Sequence, residues 1–255
     1  MGIKKQSWNK INTRLVDTDT QEQIEILKKG VLEVKGQFLF GSNYSFLVSL
    51  SLNGSRLEAI YKPRKGEMPL WDFPPESLAD REVAAYIVSE TLGWNLVPPT
   101  VIRRKADFGK GSLQVFIQHD PEENYFTFGE QLQERLRPAV LFDLVINNAD
   151  RKGSHILLDE QDKIWLIDHG LSFHTDPKLR TVIWDFAGQE IPDQLLVDIE
   201  MLNRDILDKK PIHLELAKHL KASEIHAISR RIESILTDPV FPEPDPKRRP
   251  FPWPL

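Results

Sequence analysis

Two aspartates, Asp150 and Asp168, stand 18 positions apart in the segments Asn147-Asn148-Ala149-Asp150-Arg151-Lys152-Gly153-Ser154-His155 and Ile164-Trp165-Leu166-Ile167-Asp168-His169-Gly170. Between them lie an apolar run, Ile156-Leu157-Leu158, and a polar turn, Asp159-Glu160-Gln161-Asp162. Two apolar runs flanking four polar residues predict a β-hairpin. A hairpin folds its ends back together, so the two carboxylates are expected to face one another at its open end. Hard oxygen ligands for Mg²⁺ beside a proton acceptor are what phosphoryl transfer requires.

The elements that must position this pair follow from periodicity. Thr18 or Thr20 can cap a short helix that runs through Lys29 and ends at Gly30. From residue 31 the pattern turns to strands at 31–34, 37–40 and 45–52, with Asn53-Gly54 as a hairpin turn and a return strand at 57–62. Residues 65–76 form a Pro-rich loop, and Leu78, Val83, Ala84, Ile87, Val88 and Leu92 recur at helical spacing over 78–92. Two further strands are expected at 101–104 and 113–118. Beyond the hairpin, helices are expected over 130–146 (broken near Pro138), 193–201, 214–220 and 223–234. The tail from 238 carries Pro at 239, 242, 244, 246, 250, 252 and 254, a density that predicts an extended strap or linker without helix or sheet. The division is then an N-terminal extension over 1–30, a β-rich lobe over 31–122, a helical lobe over 123–237 and the tail over 238–255.

Composition narrows the function classes. A chain of 255 residues with 40% hydrophobic and 28% charged residues can bury a full core. The formal charge of −5 offers no general attraction to nucleic acid or anionic membrane. Zero cysteines exclude disulfides and thiolate chemistry and fit a cytoplasmic protein. No apolar run is long enough to span a membrane. The N-terminus lacks a signal-peptide core and misses the myristoylation pattern, because Gln6 stands where Ser or Thr is wanted and Ser7 comes one place late.

Five blocks carry a family resemblance: FGSNYSF (40–46), AIYKP (59–63), REVAAYIVSETLGWNLVPPT (81–100), NNADRKGSHIL (147–157) and IWLIDHGLSFH (164–174). In this order they resemble the phosphatidylinositol 3-/4-kinase-like proteins, within the group of uncharacterised bacterial members. Among characterised proteins the blocks resemble the type II phosphatidylinositol 4-kinases. The resemblance implies an α+β, bilobal protein-kinase-like fold: a small antiparallel sheet with one main helix, then a mostly helical lobe opened by a catalytic hairpin. It implies ATP and Mg²⁺ or Mn²⁺ as cofactors, and a hydroxyl-bearing acceptor that is a lipid headgroup, a small molecule or a protein. An acidic chain without a basic patch argues against a dedicated membrane-lipid kinase. A protein kinase acting on a translation factor is a weaker variant of the same reading.

The residue roles are carried over from that resemblance. Lys62 is expected to hold nucleotide phosphates and Glu82 to orient it, with Glu90 on the same helix as the competitor. Gly41, Ser42 and Asn43 form a turn that points N–H groups at phosphate or simply joins two strands. Asp150 is expected as base or acceptor-orienting group, Arg151 as its companion, and Lys152 as a cation for the transferring phosphate. Asp168 is expected to bind the metal. His155 departs from the family, where an asparagine metal ligand is usual. It is read as a ligand favouring Mn²⁺, as a phosphate hydrogen-bond donor, or as the mark of a nucleotide-binding pseudokinase with a scaffolding role. His169 and His174 flank the metal aspartate. Residues 178–186 contain the acceptor-presenting segment, and residues 118–124 should supply backbone groups to adenine. The tail is a candidate docking element for a protein partner.

Overall fold

Alternation along Ser45-Phe46-Leu47-Val48-Ser49-Leu50 puts Phe46, Val48 and Leu50 on one face of a strand. That face is buried in the computed structural model, which describes residues 19–38, 44–68 and 70–255. Five strands form one antiparallel sheet: β1 (Val31–Phe38), β2 (Ser45–Leu52), β3 (Ser55–Pro63), β4 (Thr100–Arg103) and β5 (Gly111–Val115), in the order β1-β2-β3-β5-β4. Helix α1 (Thr20–Lys29) covers the sheet with Ile26 and Leu27, which join Leu50, Ala59, Tyr61, Val101 and Leu113 in a first core. Asp19 rather than either threonine occupies its N-cap position.

Two expected strands, 31–34 and 37–40, are one strand over the described residues. The register steps from Val34↔Val48 to Gly36↔Leu47, leaving Lys35 as an unpaired extra residue. A bulge of this kind keeps the ladder continuous while interrupting the apolar alternation that the sequence reading relied on. The strand expected over 113–118 is shifted to Gly111–Val115, where β3 and β4 supply partners on both sides.

Helix α2 (Leu78–Thr91) is buried on nearly every side, including Asp80, Arg81 and Glu82. Its Ala84, Ala85 and Val88 belong to a second core shared with the helical half. That half contains α3 (Glu130–Glu134), α4 (Arg137–Ile146), the hairpin strands β6 (Ile156–Leu158) and β7 (Ile164–Leu166), α5 (Asp193–Leu207), α6 (Pro211–Leu216) and α7 (Ala222–Thr237). The break near Pro138 falls where proline sits in the first turn of α4, a position with no N–H partner to lose. Helix α5 runs past the expected end at 201 because Leu202 and Ile206 continue its buried face.

Of the two alternatives for the tail, strap or linker, the structure takes the strap. Pro239 and Phe241 exchange backbone hydrogen bonds with residues 188–191: Gly188 N donates to Phe241 O (2.9 Å), Phe241 N to Gln189 O (2.9 Å) and Ile191 N to Pro239 O (2.8 Å), with a bridge between Val240 and Glu190. Proline density excludes a ladder only at the prolines themselves. Val240 and Phe241 keep their N–H groups, and Phe241 is buried against Phe186. The tail is therefore a docked strap here rather than a linker.

Candidate active site between the two lobes

Strand alternation sends Tyr61 into the sheet core and Lys62 toward the cleft. The register sets Lys62 opposite Ser112 and Pro63 opposite Gly111. A Cβ on Gly111 would lie 2.3 Å from the Lys62 carbonyl oxygen, so the close approach of β5 to β3 at this point needs glycine. Lys62 Nζ lies 2.6 Å from Glu82 Oε1 on α2 and 3.0 Å from Asp168 Oδ1 beyond the hairpin. The second Glu82 oxygen accepts from the backbone N–H of His169 at 2.9 Å. One carboxylate thus fixes both the lysine and the loop that carries Asp168. Glu90, the competitor, is exposed at the other end of α2.

The hairpin forms with the expected turn, pairing Ile156 with Leu166 and Leu158 with Ile164. Before it, α4 ends at Asn147 in the left-handed conformation, turning the chain into the loop of Asp150. Asn147 Nδ2 donates to the carbonyls of His174 and Asp176, and its Oδ1 accepts from Lys178 N. Asn148 joins Asp143 Oδ1 (2.9 Å) to the backbone N–H of Asp150 (3.0 Å).

Arg151 corrects its expected place beside Asp150 in the catalytic set. It is fully buried, with Nε and Nη2 on the two oxygens of Asp143 at 2.8 and 2.9 Å, Nη1 on the carbonyls of His155 and Ile167, and Nη2 also 2.8 Å from His169 Nε2. All five donors of a guanidinium are drawn into the interior, so this side chain braces the loop and does not face the cleft. Arginine can only donate to His169 Nε2, so Nδ1 carries that ring's hydrogen. Burial, with Arg151 alongside, holds His169 neutral.

At the open end of the hairpin the electrostatics diverge. Burial raises Asp150 to about 6, with Asp168 adding to the rise and Lys152, 3.3 Å away, opposing it. Burial also acts to raise Asp168, but the Lys62 ammonium outweighs it and holds that carboxyl far below the usual range. Lys62 is raised above its ordinary value, because Asp168 and Glu82 overcome the burial that opposes its charge. Two carboxylates near one another with opposite displacements suit two separate tasks.

His155 Nδ1 lies 3.0 Å from the carbonyl of Asp150, which can only accept, so Nδ1 carries the hydrogen. Burial depresses this imidazole to about 4, leaving it neutral. Its Nε2 lone pair therefore faces Asp168 Oδ2 at 3.3 Å, acceptor against acceptor. A divalent cation is the group that would relieve that opposition. Among the described residues no three acidic or histidine side chains gather around one point, so a metal here would draw its remaining ligands from substrate phosphates and water. The residues fit a metal of that kind.

The other expected residues separate. Gly41, Ser42 and Asn43 lie outside the described residues. His174 accepts from Asp176 N and packs edge-on against Phe73. In the segment expected to present the acceptor, Val182, Ile183 and Phe186 are buried in the helical-lobe core, whereas Lys178 crosses to Asp72 of the 65–76 loop at 2.8 Å. Residues 118–124 leave the sheet after β5 and connect the two lobes. Sequence reading missed Asp143 and the buried pair Arg81–Glu224, which ties α2 to α7 while Arg81 also donates to the Ser172 carbonyl. Asp143 had a signal: an acid inside the otherwise apolar run Val140-Leu141-Phe142-Asp143-Leu144-Val145.

A β-sheet lobe and a helical lobe meeting across a lysine–glutamate pair and two aspartates define a bilobal protein-kinase-like fold. Solved structures of similar shape include a Golgi casein kinase with Mn/ADP bound (TM-score 0.56, 16% identity, covering 86% of this chain and 74% of that one). A hydra Fam20 structure with sugar matches at TM-score 0.53 and 15% identity, over 87% of this chain and 89% of that one. The Helicobacter pylori proinflammatory kinase CtkA matches at 0.51 and 12%, over 84% and 94%. At the level of sequence, residues 74–209 match the phosphatidylinositol 3- and 4-kinase family. Protein Rv2133c of Mycobacterium tuberculosis is 39% identical over 275 residues, spanning 94% of this chain and 98% of that protein. The chain belongs to the phosphatidylinositol 3- and 4-kinase family, a family of phosphotransferases. No helix among its described residues is long and apolar enough to cross a membrane.

Proposed function

We propose that this protein transfers the γ-phosphate of ATP, with Mg²⁺ or Mn²⁺, to a hydroxyl group. The observation that carries the reading is Lys62 held at once by Glu82 (2.6 Å) and Asp168 (3.0 Å), with Asp150 nearby and raised to about 6. In this reading Lys62 leaves Asp168 for nucleotide phosphates while Glu82 keeps its ammonium aimed into the cleft. Asp168 and His155 Nε2 would hold the metal, which when bound would neutralise phosphate charge. Asp150 orients the acceptor hydroxyl and takes its proton as the new O–P bond forms, while the bond from the γ-phosphorus to the β–γ bridging oxygen breaks and ADP leaves. Lys152 balances charge on the transferring group. Arg151 and Asp143 keep the loop in register and touch no reactant. The acceptor is an inositol lipid, a small polar metabolite or a protein side chain; family membership does not choose among them. The absence of cysteine fits a cytoplasmic protein.

A second reading rests on His155, which stands where the family uses asparagine. A pseudokinase would bind nucleotide and transfer nothing, acting instead through partners. Incubating the full chain with γ-labelled ATP and Mg²⁺ or Mn²⁺, with lipid, metabolite and protein acceptors, separates the two. Transfer abolished by Asp150→Ala and Asp168→Ala supports the enzyme. Nucleotide binding with no transfer under either metal sinks it. With a ligating His155, His155→Asn moves the metal preference toward Mg²⁺; an unchanged preference removes that ligand.

A further inference from the structure

Behind the 175–179 segment lies a cavity of about 570 Å³, within the range of small-molecule sites. Thr175, Pro177 and Leu179 line it, whereas the intervening Lys178 points to Asp72 in the other lobe. The segment is therefore a wall with the cavity on one face. Leu144 of α4, Ile235 of α7 and Phe241 of the strap make the remaining surface largely apolar.

Two cations interrupt it, Arg230 and Arg231. Arg231 donates through Nε to the Val145 carbonyl (2.8 Å) and through Nη1 to the His174 carbonyl (3.3 Å), but its buried Nη2 meets no hydrogen-bond partner. Among the described residues neither arginine forms an ion pair, although Asp238 and Glu243 line the same cavity. Burial and the neighbouring Arg230 lower Arg231 to about 10. A half-buried guanidinium with one enclosed, unpartnered Nη2, beside an exposed second arginine and without an ion pair, gains when an anion meets it. Apolar walls require the anion to be carried on an apolar body. Asp238 and Glu243 would repel a second negative charge, which favours a carboxylate over a phosphate ester.

We propose that this cavity is a second binding site, distinct from the interlobe cleft, for a small amphiphilic monoanion whose carboxylate meets Arg231 and Arg230. The site does not depend on phosphotransfer, so its test reads binding alone. Calorimetric titration of the full chain with decanoate, decanol and acetate probes head and body separately. Decanoate binds saturably at one per chain, and decanol and acetate bind at least tenfold more weakly. Arg231→Leu weakens decanoate at least tenfold. Because Arg231 also caps carbonyls of α4 and the 174 turn, Ile235→Trp is the second variant: it fills the cavity and abolishes decanoate binding while nucleotide affinity, measured in parallel, stays within twofold. Equal affinity for decanol and decanoate, or decanoate binding unchanged in both variants, overturns the proposal, as does the absence of saturable binding.

Discussion

Burial and Lys152 pull the Asp150 carboxyl in opposite directions, and burial prevails at about 6. A proton acceptor works only when ionised, so kcat/KM should rise with pH through a midpoint near 6 rather than near the ordinary aspartate value. Lys152→Met removes the charge that opposes the shift, and the midpoint should move upward; a pH–rate profile that stays in place would detach Asp150 from the titration. Asp150→Asn should lower transfer by about 10²- to 10⁴-fold, the usual contribution of a positioned acid or base, with nucleotide affinity little changed in equilibrium binding. At the same scale Arg151 behaves differently from Asp150 although the two are adjacent. Its guanidinium, with Asp143, is enclosed, and removing either partner leaves an uncompensated buried charge. Asp143→Ala should destabilise the fold by about 3–5 kcal/mol in denaturant unfolding. The reverse result, lost transfer with full stability, would return Arg151 to the reacting groups.

Elements set these side chains through register. Lys62 faces the cleft because β3 alternates with Tyr61 inward, and β5 can lie close only through Gly111. Gly111→Ala must push β5 away from the Lys62 carbonyl. It should weaken ATP binding while leaving the hairpin and its aspartates in place, which amide exchange over residues 156–166 would show. The hairpin was legible from two apolar runs and four polar residues because a two-residue period is local. The bulge at Lys35 was not, since an unpaired residue is decided by the partner strand and leaves no periodic trace of its own.

Across the whole molecule the lobes are joined by Glu82, which reaches His169 N, by Arg81 with Glu224, and by Lys178 with Asp72. The strap instead closes the helical lobe on itself, hydrogen-bonding residues 188–191 and burying Phe241. Phe241→Ala should lower stability by about 3–5 kcal/mol, the usual range for removing a buried ring. Thermal unfolding would measure it, and a change near zero would make the strap an ornament of the fold. The charges that tie α2 to the helical lobe sit on residues read beforehand as part of an ordinary amphipathic helix. Arg81 and Asp80 became interior only when α6 and α7 closed over them.

The amino-acid order alone determined the two-aspartate hairpin, the strand bearing Lys62, the helix bearing Glu82 and the family they spell out, because each depends on local period, turn chemistry or a contiguous motif. Tertiary structure decided which charges face the cleft and which are enclosed. Arg151 turned inward because Asp143, eight residues earlier, lies on its buried side, and His155 met Asp168 because the hairpin brought their loops together. It also decided that a proline-dense tail docks instead of trailing, since two residues retained the N–H groups and the ring that a neighbouring segment could receive. Pairings across the chain depend on distance in space, which no window of sequence contains.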